Sequence, residues 1–217
     1  MINSFIPIFS EFTSRKEYIP IDLSSKNQNL EKIDISSSKA LEVFILNYLE
    51  KNKGLVAFGG YLEKRAIYDR SKSFNHSNPE KQRNIHLGLD FWCNAGTSVA
   101  APFDGTVHSF RNNDQIADYG PTIILKHFTN HQVFYTLYGH LDLASLAQLE
   151  IGQVIQKGAT FCRLGSSAIN GDYAPHLHFQ IIKNIEQYYG NYPGVCSSSD
   201  VSFYLKNCPD PASYLHI

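Results

Sequence analysis

A series of short runs of β-branched and aromatic residues begins at Ile85 and limits the fold more than any other feature of the chain. The runs recur about every ten residues and are separated by Gly, Asp, Asn and Pro, which is typical of strands joined by turns. The expected strands are residues 85–91, 97–101, 105–110, 122–128, 132–139, 154–155, 160–164 and 176–182. The sequence therefore predicts a mainly β fold in its second half.

The first part of the chain predicts an N-terminal extension with a single helix. Residues 1–38 are rich in Ser, Asn and Lys and show no sustained period, which indicates an irregular arm. A run of serines then offers a helix cap, and apolar residues follow at helical spacing over residues 39–53 before Gly54. Residues 61–84 are polar and of mixed charge, which predicts a long surface loop. The predicted organisation is an extension over 1–80, a β domain over 81–187 and a C-terminal tail over 188–217 that packs on the domain.

Charge and hydropathy exclude two classes of partner. The chain carries 19 basic and 20 acidic residues and a formal net charge of −1, so it has no electrostatic attraction to phosphate backbones. It contains no uninterrupted apolar run of about 18 residues, so no membrane insertion is expected. The first twenty residues do not read as a secretion signal, which predicts a cytoplasmic location, with export by an unrecognised route as the alternative. The sequence does not predict the oligomeric state.

His86 and Asp90 stand four residues apart inside one strand-like run. Side chains alternate between the two faces of a strand, so the imidazole and the carboxylate are expected on the same face. Gly88 lies between them and would leave space above the strand. This run therefore offers two metal-ligating side chains side by side.

A second motif, His176-Leu177-His178, places two imidazoles on one face of another predicted strand, with Leu177 directed into the core. His140 ends a third strand where it meets a loop. Two neutral imidazoles and one carboxylate are a known ligand set for catalytic Zn²⁺, which then acidifies a bound water. Histidines beyond that set could transfer protons or stabilise an oxyanion. The residues alone thus predict a metal site without deciding which histidines are the ligands.

Five segments together resemble a known family. They are NIHLGLDFWCNAGTSVAAPFDGTV, YGPTIILKH, FYTLYGHL, IGQVIQKGATFCRLGSS and PHLHFQI, in the family's order, over about residues 84–182. The combination resembles the lysostaphin and LytM type zinc metalloendopeptidases, many of which cut peptidoglycan cross-links. The resemblance implies a compact antiparallel β-sheet core with the metal in a groove formed by loops, and zinc-dependent hydrolysis of peptide bonds in a peptide or peptidoglycan-like substrate.

The resemblance also assigns roles to individual residues. It implies that His86, Asp90 and His178 are the zinc ligands and that His140 and His176 are the catalytic histidines, with their individual tasks left open. The chain contains no His-Glu-x-x-His motif. Without that motif's glutamate, histidine is expected to carry the acid–base work.

Three departures from the family pattern limit the resemblance. A longer loop, AINGDYAP, precedes His176, Gln180 stands where an acidic residue is usual, and a signal peptide is missing. Other segments resemble a subgroup that occurs fused to aminotransferase and phosphotransferase modules, which suggests an intracellular amidase or peptidase with a small substrate as an alternative. Residues 61–84 could also form a lid, with an asparagine filling the metal's open position in a latent form; the candidates are Asn75, Asn78 and Asn84.

Two alternatives come from other functional classes. A non-catalytic regulatory module could keep the fold, but it would not need all five expected site residues, which are present here. A β-fold iron oxygenase could use two histidines and one carboxylate, but the longer motif match argues against it. The leading prediction is therefore a zinc metallopeptidase.

Overall fold

Eight strands form one continuous sheet in the computed structural model, which describes residues 4–129 and 132–217. The strands of this sheet and of two further two-stranded sheets are β1 (Tyr18–Pro20), β2 (Val56–Gly59), β3 (Arg83–His86), β4 (Leu89–Trp92), β5 (Ser98–Ala100), β6 (Gly105–Asn113), β7 (Gly120–Thr129), β8 (Gln132–Gly139), β9 (Val154–Ile155), β10 (Thr160–Arg163), β11 (His176–Ile182) and β12 (Val195–Ser197). The helices are α1 (Ser38–Asn52), α2 (Val201–Asn207) and α3 (Pro211–Leu215). The sheet order is β1-β2-β4-β11-β8-β7-β6-β9, antiparallel except for the β1–β2 pair. The predicted mainly β class is confirmed.

The N-terminal extension is built into this sheet. β2 pairs with β4, so that Phe58 lies opposite Phe91, and β1 adds a further strand beside β2. Tyr18 of β1 is buried against the same cluster as Phe91. Sequence patterning missed both strands because they are only three and four residues long and are separated by a helix.

The predicted single strand over residues 85–91 is wrong, because the chain breaks it in two. β3 pairs with β12, whereas β4 enters the main sheet between β2 and β11. At the break, the backbone N–H of Leu87 donates to the carbonyl oxygen of Gly194 at 2.9 Å. A continuous run of apolar residues conceals such a break, since nothing in the run marks a change of partner strand. The two halves nevertheless leave His86 and Asp90 next to each other.

α1 begins and ends within one residue of the prediction. Ser37 is its N-cap and accepts from the Ala40 N–H, while Lys53, rather than the expected Gly54, takes the left-handed conformation at the C-cap (φ 54°). Gly54 is needed for a different reason, because a Cβ there would lie 2.2 Å from Ile19 Cγ1. Across the described residues, no helix is long and apolar enough to cross a membrane.

The predicted surface loop over residues 61–84 is wrong for its first half. Arg65 and Tyr68 are 6% and 5% exposed and lie inside the molecule, where a short 3-10 helix spans Ala66–Arg70. The prediction failed because a polar, charged sequence normally indicates a solvent-exposed segment, whereas Arg65 is buried and forms ion pairs with carboxylates. The C-terminal tail contributes β12, α2 and α3, and it buries Cys208 and Leu215.

Candidate active site

Three of the predicted site residues meet in a buried cluster that could hold a metal ion. His86 Nε2 lies 2.8 Å from His178 Nδ1, and each of these nitrogens lies 3.2 Å from Asp90 Oδ1. The residues come from β3, β4 and β11, and His178 stands directly opposite Asp90 in the β4–β11 register. Sheet pairing therefore fixes His178 beside Asp90, whereas His86 comes from the separate β3–β12 pair.

Hydrogen bonds on the far side of each ring decide which nitrogen atoms carry protons. His86 Nδ1 donates to the Gly60 carbonyl oxygen at 2.9 Å, and His178 Nε2 donates to Gln180 Oε1 at 2.9 Å. The two nitrogens that face each other therefore both present lone pairs. Asp90 Oδ1 adds a third electron-rich atom, and it is buried without a hydrogen-bond partner among the described residues.

Such an arrangement is unfavourable without a cation between the three atoms, because buried acceptors normally have donors. A tetrahedral zinc with bonds of about 2.0–2.1 Å keeps its ligand atoms roughly 3.3 Å apart, close to the spacing observed here. Two imidazoles and a carboxylate are also the donor types that a catalytic zinc uses. The residues present therefore fit a metal ion.

Gln180 replaces the acidic residue expected after the second histidine motif, and its amide is held in one orientation. Its Nε2 donates to the Pro193 carbonyl oxygen at 3.2 Å and to Cys208 Sγ at 3.3 Å. This leaves Oε1 to accept from His178, so the neutral amide fixes the ring as a carboxylate would. Unlike a carboxylate, it adds no negative charge to the buried site.

Arg65, which the sequence did not suggest, binds the second oxygen of Asp90. Its Nη1 lies 2.5 Å from Asp90 Oδ2 and its Nε lies 2.6 Å from Glu63 Oε2, while the guanidinium packs over Trp92. Burial by itself would raise the pKa of Asp90, but the interactions of its carboxylate with His86 and with the Arg65 guanidinium outweigh burial and hold the pKa well below the usual value. Asp90 is therefore a carboxylate at neutral pH, with Oδ1 left for the cluster.

His140 and His176, the predicted catalytic pair, stack beside the cluster with ring centroids 4.2 Å apart. Their Nδ1 atoms donate to the carbonyl oxygens of Asn170 and Ala174, each at 2.7 Å. Burial lowers the pKa of both, to about 4 for His176 and well below the ordinary value for His140. Both rings are thus neutral at pH 7, and each presents an Nε2 lone pair.

The backbone at His140 is in the left-handed region (φ 64°), directly after β8 ends at Gly139. Residues other than glycine rarely adopt this conformation, and its cost of about 1–3 kcal/mol has to be offset by surrounding contacts. The His140 N–H donates to the Tyr119 carbonyl oxygen at 2.8 Å, and the His140 carbonyl oxygen accepts from Gly165 N–H at 2.9 Å. These bonds hold the turn that directs His140 toward His176.

The long loop before β11 supplies both carbonyl groups that orient the catalytic pair, and the N-terminal extension holds this loop. Arg70 Nη2 donates to the Asp172 carbonyl oxygen at 2.7 Å, and its guanidinium packs over the Tyr173 ring at 4.4 Å. Ser38 Oγ donates to Asp172 Oδ1 at 2.7 Å. The longer loop before His176, which departs from the family pattern, therefore orients the two catalytic histidines.

A cavity of about 690 Å³ opens onto the site. The four site histidines and Asp90 line one wall together with Tyr119, whereas residues 65–68 and 73–74 of the extension line another. The extension thus forms part of the cavity wall. None of Asn75, Asn78 and Asn84 lines the cavity, so nothing here supports the latent form.

Comparison with known sequences finds a family match for part of the chain. Residues 84–189 match Peptidase family M23. The match covers just under half of the chain. The M23 segment begins just before the first metal-binding motif and ends just after β11, so it contains all five predicted site residues. The predicted assignment to a metallopeptidase family of the hydrolase class is confirmed.

Individual relatives of the M23 segment cover only parts of the chain. An uncharacterized metalloprotease of Haemophilus influenzae is 35% identical over 95 residues, which is 44% of this chain and 18% of the relative. The catalytic domain of the antimicrobial peptidase lysostaphin from Staphylococcus simulans is 25% identical, with 62% of this chain and 81% of that domain covered and a TM-score of 0.45. A zinc-containing peptidase from Vibrio cholerae is also 25% identical, with 51% and 34% covered and a TM-score of 0.38.

Proposed function

We propose that the protein is a zinc-dependent peptidase in which His86, Asp90 and His178 hold the metal. The observation that carries the proposal is a set of three atoms, 2.8–3.2 Å apart and buried together, whose two ring nitrogens face each other while the other nitrogen of each ring donates elsewhere. Membership of the M23 segment in a peptidase family supplies the reaction class. The ligand set and the choice of zinc follow from the donor types.

A zinc ion held by His86, Asp90 and His178 would polarise an amide carbonyl and lower the pKa of a bound water to about 7. The chain's own contribution is to accept and return protons. His140 Nε2 and His176 Nε2 are both available to accept the proton of an attacking water, because their Nδ1 protons are committed to backbone carbonyls. The proton taken up there can then pass to the leaving nitrogen. The Arg65–Asp90 ion pair keeps the carboxylate in place through these changes.

The proposed substrates are peptide bonds of the peptidoglycan cross-link type. The enclosed cavity also favours a second candidate, a short peptide or small amide that is not part of a cell wall. At about 690 Å³ the cavity has the size of a site for a small ligand, and the extension closes one of its sides. Both candidates use the same metal and the same histidines.

Removal of the metal provides the direct test of this function. After dialysis against a chelator, we expect hydrolysis of a panel of cross-linked muropeptides and short peptides to fall to background, and added zinc to restore it. Elemental analysis of the same samples should give about one zinc per active chain. Full activity in metal-free protein, or no activity on any peptide in zinc-loaded protein, would contradict the proposal.

Gly88→Ala should weaken zinc binding without replacing a ligand. A Cβ at this position would lie 2.6 Å from His178 Cε1 and 2.7 Å from its Nε2, so the ring has to shift. We expect a loss in zinc affinity of about 10–100-fold, as for other changes that misalign a ligand, measured by competition with a chromogenic chelator.

Gly105→Ala is the matched control for this change. Its Cβ would crowd the buried imidazole of His127 equally closely, at 2.6 Å and 2.7 Å, but His127 lies outside the metal cluster. We expect the control to lower the thermal midpoint and to leave zinc affinity unchanged. Equal zinc affinity in Gly88→Ala and wild type would show that the His178 ring position does not matter.

A further inference from the structure

Arg83 presents a second basic group to the same cavity, and its position differs from that of Arg65. Its Nε donates to the Val195 carbonyl oxygen at 2.9 Å, and its guanidinium packs over the Phe74 ring at 5.2 Å. The backbone N–H of Arg83 donates to the Phe74 carbonyl oxygen at 2.9 Å. The guanidinium is therefore fixed at its Nε edge and on one face.

The outer edge of this guanidinium has no partner. Among the described residues, no carboxylate forms an ion pair with Arg83, and its two Nη atoms donate no hydrogen bond. They are also not sealed from solvent, in contrast to Nη2 of Arg65, which is buried without a partner. A half-buried guanidinium with two parallel free donors matches a carboxylate in size, geometry and charge.

The residues around Arg83 connect it to the metal cluster. Arg83 lines the same cavity as Tyr119 and His178, and its charge acts to lower the pKa of the Tyr119 hydroxyl, although burial raises that pKa overall. Tyr119 contacts the His178 ring, with centroids 5.1 Å apart. Arg83 and His86 belong to the same short strand, three residues apart, which corresponds to about 10 Å. About three extended peptide residues cover such a distance.

Asp118, an acidic residue that lines the same cavity, does not bind this guanidinium. Its carboxylate accepts a hydrogen bond from the Tyr119 N–H at 2.7 Å, and among the described residues it forms no ion pair with Arg83. We propose that Arg83 binds the free C-terminal carboxylate of a short peptide substrate, so that the scissile amide lies at the metal cluster. This inference rests on the proposed peptidase function and specifies its substrate class.

The test compares short acylated peptides that differ only in a C-terminal carboxylate or a C-terminal amide. For wild-type protein loaded with zinc, we expect kcat/KM to be about 10–100-fold higher for the acids, because charged hydrogen bonds are worth that much in a partly buried site. Arg83→Gln should bring the acids down to the level of the amides, and Arg83→Lys should give an intermediate preference. Running the pairs with D- and L-alanine at the C-terminus separates cell-wall peptides from ordinary ones.

Arg111→Gln is the matched control, because it removes the same charge from an exposed arginine that does not line the cavity. It should keep the preference for acids. Equal rates for acids and amides in wild-type protein would overturn the proposal, and this comparison does not require any variant to fold.

Calorimetric binding of the same peptides keeps the two proposals distinguishable. If zinc is bound but no peptide is hydrolysed, the peptidase function fails, while tighter binding of acids than amides, lost in Arg83→Gln, still supports the carboxylate site. If peptides are hydrolysed but acids bind no tighter than amides, Arg83 has no such role and the peptidase function stands.

Discussion

His178→Ala is expected to abolish zinc binding. The substitution removes one of three ligand atoms and leaves Asp90 Oδ1 and His86 Nε2 facing an empty space, which is insufficient for a tight tetrahedral site. Elemental analysis of the purified variant should give background zinc, against about one per wild-type chain. Peptide hydrolysis should fall with the metal.

His127→Ala provides the control for the loss of a buried imidazole. His127 is fully buried and makes two hydrogen bonds, to the Asp104 carbonyl oxygen at 2.8 Å and to Thr136 Oγ1 at 2.7 Å. Its removal should cost comparable stability and leave zinc content at the wild-type level. Zinc retained by His178→Ala, at wild-type stoichiometry and affinity, would refute the ligand assignment.

His140→Ala is expected to retain zinc and lose turnover. His140 contributes no atom to the three-ligand cluster, but its Nε2 is one of the two proton acceptors beside it. A general acid–base group contributes about 10²–10⁴-fold, so kcat should fall by that factor while zinc content stays near one per chain. The measurement is the hydrolysis rate at saturating zinc, with elemental analysis of the same sample.

The left-handed backbone at His140 calls for a second variant. Alanine tolerates φ 64° poorly, so part of any loss in His140→Ala could come from a displaced loop. Asparagine is among the residues that accept this conformation, and its amide cannot take up the proton. We therefore expect His140→Asn to fold like wild type and to lose as much activity as His140→Ala. Near wild-type turnover in the asparagine variant would remove His140 from the mechanism.

The motifs and the family resemblance together singled out five residues that lie close to one another in the structure. His86 with Asp90 and His176 with His178 lie on strands, where spacing determines the face, and His140 was recognisable at the end of a strand. The same reasoning missed the break between β3 and β4, because it predicted one strand over residues 85–91. The ligands still meet because β3 and β4 leave them adjacent despite the break.

The groups that support these residues could not be predicted from local patterns. Arg65 reaches Asp90 from a segment that looks like a solvated loop, and the Gly60 carbonyl group that orients His86 has no signature in the sequence at all. Gln180 was noticed only as a departure from a pattern, and its role became clear when its amide contacts were known. The roles of these groups depend on contacts between residues that are far apart in the sequence.

The strands that the extension adds to the sheet bear on what counts as a folding unit. Phe9, Tyr18 and Val56 lie outside the M23 segment, yet each is at most 1% exposed and packs in the cluster that contains Phe91. Burying three such side chains is worth roughly 5–9 kcal/mol as an upper estimate. A whole domain is stable by only about 5–15 kcal/mol. The M23 segment is therefore smaller than the unit that unfolds cooperatively. Much of the free energy of unfolding of this segment comes from residues outside it.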